Sequence, residues 1–210
     1  MSHLPVPTPG DHEPIHGPHE VSLRPIAERD LPDIIRWRSD PGVVEFWGPP
    51  PANEAAARED LRPDVNPVWR FVIEVEGRGV GHIQYYHAYA DTDYTWSAGI
   101  DIYIGEPKAR GRGLGTEAMR TLLRYLFEVK RLHRVTIDPE PGNRRAIRSY
   151  EKAGFRFDGL LRHHARLGDR YVDAYWMSIL DDEWPAARAR WEAERGPLPP
   201  HADGPPARGA

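Results

Sequence analysis

The stretch KARGRGLGTEAMR, Lys108 to Arg120, sets Gly111, Gly113 and Gly115 among Arg110, Arg112 and Leu114, just ahead of an amphipathic run that opens at Thr116. A helix start leaves its first N–H groups without partners and carries partial positive charge, so it attracts an anion. Glycines let successive N–H groups turn inward as a nest and remove the Cβ that would hold a phosphate away. With two arginines at the rim, the arrangement suits a pyrophosphate. Two common phosphate loops do not fit: no lysine follows the last glycine as GxxxxGK[ST] requires, and the glycines run GxGxG rather than GxGxxG. A flexible Gly–Arg loop and an RNA-binding Arg–Gly segment are the competing readings. The second ordinarily occupies a tail rather than the join between a strand and a helix.

A different chemistry sits close by. Asp101 stands inside the apolar run AGIDIYIG, and a carboxylate in such a strand needs a partner or a purpose. Asp138 ends another apolar run, and Asp91, Asp93 and Glu140 lie near in sequence. Several carboxylates around one cleft would concentrate a cation. For Asp91, Asp93 and Glu140 the alternative is ordinary solvated loop charge. His163 and His164 could supply a base, against the alternative of a solvated pair at a strand edge.

These groups need a scaffold. At 210 residues and 40% apolar composition, the chain has room for one domain with a proper core. Residues 1–19 are rich in Pro, His and Gly without a hydrophobic period and read as a disordered tail, as do 196–210, leaving a domain over 20–195. Within it VSLRPIA alternates as a strand, and ERDLPDIIRWRSD reads as a helix with Leu31, Ile34, Ile35 and Trp37 inward. PGVVEFWGPPP is broken by prolines, and NEAAAREDLR forms a short helix. WRFVIEVEGRGVGHIQYYHAYA gives two antiparallel strands about Glu76–Gly79, and YTWSAGIDIYIG a third that runs into the glycine loop. A helix over Thr116–Lys130 follows, then strand RVTID, helix NRRAIRSYEKAG closed by Gly154, and two strands about Gly168–Asp169. Hairpins mixed with strand–helix alternation make an α/β (α+β) pattern with a partly antiparallel sheet.

Composition excludes several classes. A net charge of −4 argues against a dedicated nucleic-acid binder, and no run is long and apolar enough for a membrane span. The first twenty residues lack the apolar core of a secretory signal. The chain has no cysteine, which rules out disulfides, cysteine zinc sites and a cysteine nucleophile, and fits a reducing cytoplasm.

Arg110-x-x-Gly113-x-Gly115, following GIDIYIG and opening a helix, resembles the acetyl-coenzyme A motif of the GNAT N-acetyltransferases. TIDPEPGNRRAIRSYEKAGF, Thr136 to Phe155, looks like the family's next strand and helix, with Asn143, Ala146 and Tyr150 at the family spacing. The resemblance covers about 21–180. It implies a mixed, mostly antiparallel sheet splayed at two parallel strands and flanked by helices, with acetyl-coenzyme A as co-substrate and no metal. Backbone groups of Ile102, Tyr103 and Ile104 would bind the pantetheine arm and acetyl group, with a β-bulge in that strand. Residues Arg110 to Thr116 would hold the pyrophosphate, Asn143 would contact the cofactor arm, and Tyr150 would protonate the departing thiolate.

Within the superfamily, VVEFWG, GHIQYY, GID, GLGTEAMR and DPEPGNRRAIRSYEKAGF look like segments of the aminoglycoside 6′-N-acetyltransferases. By that resemblance Asp101 is base or amine-binding group, Asp138 helps bind the cationic sugar, and Trp47 lines the acceptor site. An amine must be neutral to attack a thioester, and a carboxylate can both attract the ammonium and take its proton. The loop before GID is shorter here than in that branch. RHHARLGDRYVDAYWMSILDDEW instead looks like the broader ribosomal-protein and small-molecule acetyltransferases, with Asp173 and Tyr175 able to reach the acceptor. The expected reaction is direct acetyl transfer to a small polycationic amine, an aminoglycoside first. A protein N-terminus or lysine, a siderophore or a polyamine are alternative acceptors, and a non-catalytic acyl-coenzyme A module is the alternative of another class.

Overall fold

A computed structural model describes residues 13–61, 68–87 and 96–198. Its strands are β1 (Ile15–His16), β2 (Val21–Pro25), β3 (Val68–Val75), β4 (Arg78–His87), β5 (Ser97–Ile104), β6 (Arg134–Ile137), β7 (Arg156–Leu167) and β8 (Arg170–Leu180). Its α-helices are α1 (Leu31–Arg38), α2 (Pro41–Trp47), α3 (Glu54–Asp60), α4 (Leu114–Arg124), α5 (Arg144–Ala153) and α6 (Trp184–Arg195). The strands form one sheet in the order β1-β2-β3-β4-β5-β6-β8-β7. Every neighbouring pair is antiparallel except β5 and β6.

That exception shapes the site. The parallel pair is in register only at Ser97–Arg134, Ala98–Val135 and Gly99–Thr136. Beyond Gly99, β5 keeps β4 on one side, through Gly81–Ile104, and has no strand partner on the other among the described residues. Unpaired backbone groups in such a gap need partners from elsewhere.

Period-two alternation gives β5 two different faces. Ala98 and Ile100 are fully buried in the main core, and Ile102 and Ile104 pack against it. Gly99, Asp101 and Tyr103 point the other way. The apolar face of α4, Leu114, Ala118, Met119, Leu122 and Leu123, joins that core. Each fully buried aliphatic side chain there contributes about 1.5–3 kcal/mol, which fixes the start of α4 against the end of β5. Trp37 on α1 closes the same corner: a Cβ on Gly105 would lie 2.1 Å from its indole, so only glycine fits, and the indole N–H donates to Glu106 at 2.9 Å.

Several expectations are corrected. PGVVEFW is helical, because Pro41 occupies the first turn, where its missing N–H costs nothing, and the Asp40 carboxylate caps Gly42 N–H at 2.9 Å. The helix against the sheet begins at Leu114, not Thr116, directly after Gly113 at φ 84°, and its last turn, Tyr125–Val129, widens to a π-helix. No bulge forms in β5, whose pairing with β4 runs in unbroken register from Ala98 to Ile104. The stretch 1–19 is not all tail: β1 pairs with β2, and Ile15 is buried. α6 was not foreseen as a helix; Trp184 and Trp191 on it are buried. Asp91, Asp93, residues 1–12 and residues 199–210 lie outside the described residues.

Candidate active site

A cleft of about 510 Å³ opens where β5 and β6 part, between the start of α4 and the face of α5. Ile102, Tyr103 and Ile104 line it from β5. Gly111 and Gly113 adopt φ 78° and 84°, which L side chains rarely reach, so the loop's shape depends on them. The first intrahelical donor of α4 is Glu117 N–H, bonded to Gly113 O at 3.0 Å. The amides of Leu114, Gly115 and Thr116 therefore precede the helical ladder, beside the cleft that all three residues line.

The loop's two arginines separate. Arg110 donates to Ile104 O and Gly105 O, each at 2.9 Å, and pairs with Asp40 at 2.7 Å, so its guanidinium ties α2, β5 and the loop together. Arg112 is exposed and lies outside the cleft lining. Positive charge comes instead from Arg145, Arg148 and Lys152 on α5, which line the cleft and were missed. Their spacing of three and four residues, on one helix face, was the available signal. Asn143 caps α5 by accepting Ala146 N–H at 3.2 Å, and both residues border the cleft. Thr116 Oγ1 and Ser149 Oγ, 2.6 Å apart, join α4 to α5.

Outside the cleft lining, close to Tyr150, two carboxylates lie near enough to feel each other. Asp101 Oδ2 accepts a hydrogen bond from Gln84 Nε2 at 2.7 Å across the β4–β5 pair. Burial pushes the Asp101 carboxyl up to about 6, with the nearby Asp138 adding to the effect and Gln84 opposing it. Burial also raises Asp138, while His164 works against that rise. His164 Nε2 and Asp138 Oδ2 are 2.9 Å apart.

Tyr150 is buried at the cleft, and burial together with the field of Asp101 and Asp138 raises its phenol well above the ordinary range. A phenol held protonated in this way can donate. Tyr86 feels the same two carboxylates and was missed; its ring lies where a Cβ on Gly99 would be, 2.5 Å from that position. Trp47 packs edge-on against Tyr103 at 4.7 Å and lines both this cleft and a second cavity of about 380 Å³, bordered also by His82 and Gln84.

The remaining candidates divide. Asp173 accepts His163 N–H at 2.8 Å, Tyr175 N–H donates to Pro139 O at 2.8 Å, and Glu140 pairs with Arg170 at 3.7 Å. His163 stacks on exposed Tyr171 rather than facing the carboxylates. Thus Asp138 touches His164 and shares an electrostatic neighbourhood with Asp101 and Tyr150, while His163 and Arg112 stand apart.

A family model described as acetyltransferase (GNAT) domain matches residues 20–156. Aminoglycoside N(6′)-acetyltransferase type 1 of Klebsiella pneumoniae is 34% identical over 151 residues, covering 66% of this chain and 75% of that protein. Spermidine N(1)-acetyltransferase of Escherichia coli K12 is 26% identical over 169 residues, covering 79% and 89%. Among solved structures, aminoglycoside acetyltransferase AAC(6′)-Ib in complex with coenzyme A and kanamycin superposes with a TM-score of 0.70 at 30% identity, covering 80% of this chain and 99% of that one.

Proposed function

The chain belongs to the GNAT acetyltransferase family, and from that premise we propose that the amine it acetylates is the 6′-amine of an aminoglycoside. Acetyl-coenzyme A, the family's co-substrate, supplies when bound a thioester that an uncharged amine attacks. The residues present suit it. The gap beyond Gly99 leaves backbone groups of β5 to be paired, Gly111 and Gly113 shape a loop that no Cβ obstructs, and the amides of Leu114 to Thr116 adjoin the cleft. Arg145, Arg148 and Lys152 place cationic groups where phosphates would lie.

The observation that carries the acceptor reading is the pair Asp101 and Asp138, which lie outside the cleft lining but act on Tyr150 within it. Together they draw a cationic amine in, and Asp101, ionised above about pH 6, takes its proton. Gln84 holds Asp101 in place, Trp47 supplies a flat wall against which a sugar ring can pack, and Tyr150 keeps its proton for the departing thiolate. The 34% identity to an aminoglycoside acetyltransferase supports the same acceptor. A linear polyamine is the second reading, favoured by the spermidine acetyltransferase relative, which aligns over more of the chain. The absence of cysteine fits a reaction carried out in a reducing cytoplasm.

Thiol release from acetyl-coenzyme A, measured with kanamycin and with spermidine, tests the reading. Kanamycin-dependent release that collapses in Asp101→Asn is the expected result. Release with spermidine and none with kanamycin would transfer the assignment to polyamines. No release with either, while coenzyme A still binds, would overturn both.

A further inference from the structure

The second cavity, of about 380 Å³, is bordered by Gln84, whose amide also holds Asp101. Sheet register sets what else lines it. Arg70 on β3 stands directly opposite Gln84 on β4, and Gln84 directly opposite Asp101 on β5. Opposed residues project from the same face, so the three make one row across the sheet. A guanidinium stands at one end of that row and a carboxylate at the other. With strands about 4.8 Å apart, the backbones of the two charged ends lie about 10 Å apart. The next row is Val72, His82 and Tyr103, of which His82 and Tyr103 border the cavity.

The lining is rich in donors. Arg38 on α1 and Arg70 bring two guanidiniums and Gln84 an amide, between the aromatic walls of Trp47 and Tyr103. Glu59 is the one carboxylate among the described lining residues. Arg38 donates to Pro49 O at 3.2 Å and lies over the Trp47 ring at 5.9 Å. A guanidinium has five N–H groups and no acceptor, so one that already holds a protein partner still serves a ligand. The positive field reaches the cavity wall: burial first, then Arg70 and Arg38, lower His82 to about 3, so its ring is neutral. Trp47 also lines the cofactor cleft, so a ligand packed on it in this cavity lies next to that cleft.

We propose that this cavity receives the hydroxyls of the acceptor's amine-bearing ring, their oxygens accepting from Arg70 and Arg38 while the amine lies at Asp101, and that the same two arginines turn linear polyamines away. The inference rests on the aminoglycoside reading above and names the groups that select within it. Its chemistry is complementarity. A hydroxyl oxygen offers lone pairs to a guanidinium, whereas an ammonium offers only N–H donors and a like charge. A sugar amine carries both kinds of group on one ring, as the row from Asp101 to Arg70 carries both kinds of partner. Spermidine held by one end at Asp101 has no oxygen for the other end and brings a second ammonium toward Arg70. The two arginines are therefore specificity-determining residues that act on acceptor binding and leave the proton transfers to others.

The test measures thiol release by the full chain with kanamycin A, kanamycin B and spermidine. Kanamycin B carries an ammonium where kanamycin A has a hydroxyl, on the ring that bears the 6′-amine. Wild type should favour kanamycin A over kanamycin B by about tenfold in kcat/KM, and over spermidine by more. In Arg70→Leu the KM for kanamycin A should rise about tenfold, the preference over kanamycin B should shrink toward one, and spermidine should gain a few-fold, with coenzyme A Kd within about twofold. Arg70→Lys keeps the charge and loses the fork, so it should still discriminate against spermidine while binding kanamycin A less well. Arg38→Leu should shift the same ratios and serves as the second variant should Arg70→Leu fail to fold. A wild type that acetylates kanamycin A and kanamycin B equally well overturns the cavity's role alone, as do folded variants that keep wild-type ratios or lose all three acceptors to the same degree. A wild type active on spermidine but on neither kanamycin, or on none of the three, overturns the aminoglycoside reading and this inference with it.

Discussion

The site has two ends of different material: an outer one, the cleft itself, and an inner one, the carboxylate group beside it, of which only Tyr150 and Trp47 line the cleft. The outer end is mostly backbone: three amides at the start of α4, two glycines at positive φ, and a strand edge left open where β6 departs. The inner end is mostly side chains, with Asp101, Gln84, Asp138, His164, Tyr150 and Trp47 drawn from α2, β4, β5, the end of β6, α5 and β7. A backbone site binds a ligand common to a family and tolerates change in the residues around it. A side-chain site sets which amine is accepted, and each change there alters chemistry. Mutations at the two ends should therefore part cleanly, one set acting on cofactor affinity and the other on turnover.

The sharpest separation should come from Asp101→Asn. Loss of the group that takes the proton should lower kcat/KM by about 10²–10⁴-fold, with coenzyme A Kd unchanged by calorimetry. The wild-type rate should also carry an acid limb. Asp101 works as a carboxylate and its burial raises its titration to about 6, so activity is complete above that pH and falls as pH drops through it. The limb should vanish from the residual rate of the variant. An equal loss of cofactor affinity would mean that the two ends are one site.

Tyr150 sits at the seam, lining the cofactor cleft while lying in the field of both carboxylates. Tyr150→Phe keeps the ring and deletes the proton, so kcat should fall by about 10–100-fold while coenzyme A affinity changes little. A kcat equal to wild type would remove Tyr150 as the acid and leave it as packing.

The same division explains what could be read from the sequence. The glycine loop, α5 and its Gly154 stop, the β3–β4 hairpin and the position of Asp101 in an apolar strand are local patterns, and they stand where the spacing puts them. Side-chain partnerships across the sheet were not legible in the same way. Arg110 reads as a rim charge, but the carbonyls of Ile104 and Gly105 and the Asp40 carboxylate claim its guanidinium. Pro41 reads as a breaker, yet the first turn of a helix is where proline fits. His164 reads as a solvated edge residue, because nothing in RHHARL announces a bulge held by Asp173 on the next strand.

On the backbone side, Gly113→Ala is the corresponding probe. A Cβ there meets nothing within 4 Å, so the penalty comes from φ 84° alone. Holding alanine in a left-handed conformation costs about 1–2 kcal/mol, and the loop relieves it by opening, which should weaken coenzyme A binding by about tenfold. The kcat at saturating cofactor should stay near wild type. A fall in kcat with unchanged Kd would show that the loop acts on the chemistry and not only on binding.

The smallest effect isolates one hydrogen bond. Gln84 Nε2 donates to Asp101 at 2.7 Å and favours its ionised form against the burial that raises it. Gln84→Leu removes the donor and keeps the bulk, so the carboxyl should hold its proton to higher pH. The acid limb should move upward, by about one pH unit for the loss of a single charge-directed hydrogen bond, while the plateau rate above it changes only a few-fold. The sign is fixed by the chemistry: losing a bond that stabilises the carboxylate can only raise its proton affinity. A pH–rate profile of kcat/KM on wild type and variant, with coenzyme A Kd as control, reads it directly. An unmoved limb would mean that the titration near pH 6 belongs to another group, with Asp138, which burial also raises, next to be examined by the same measurement.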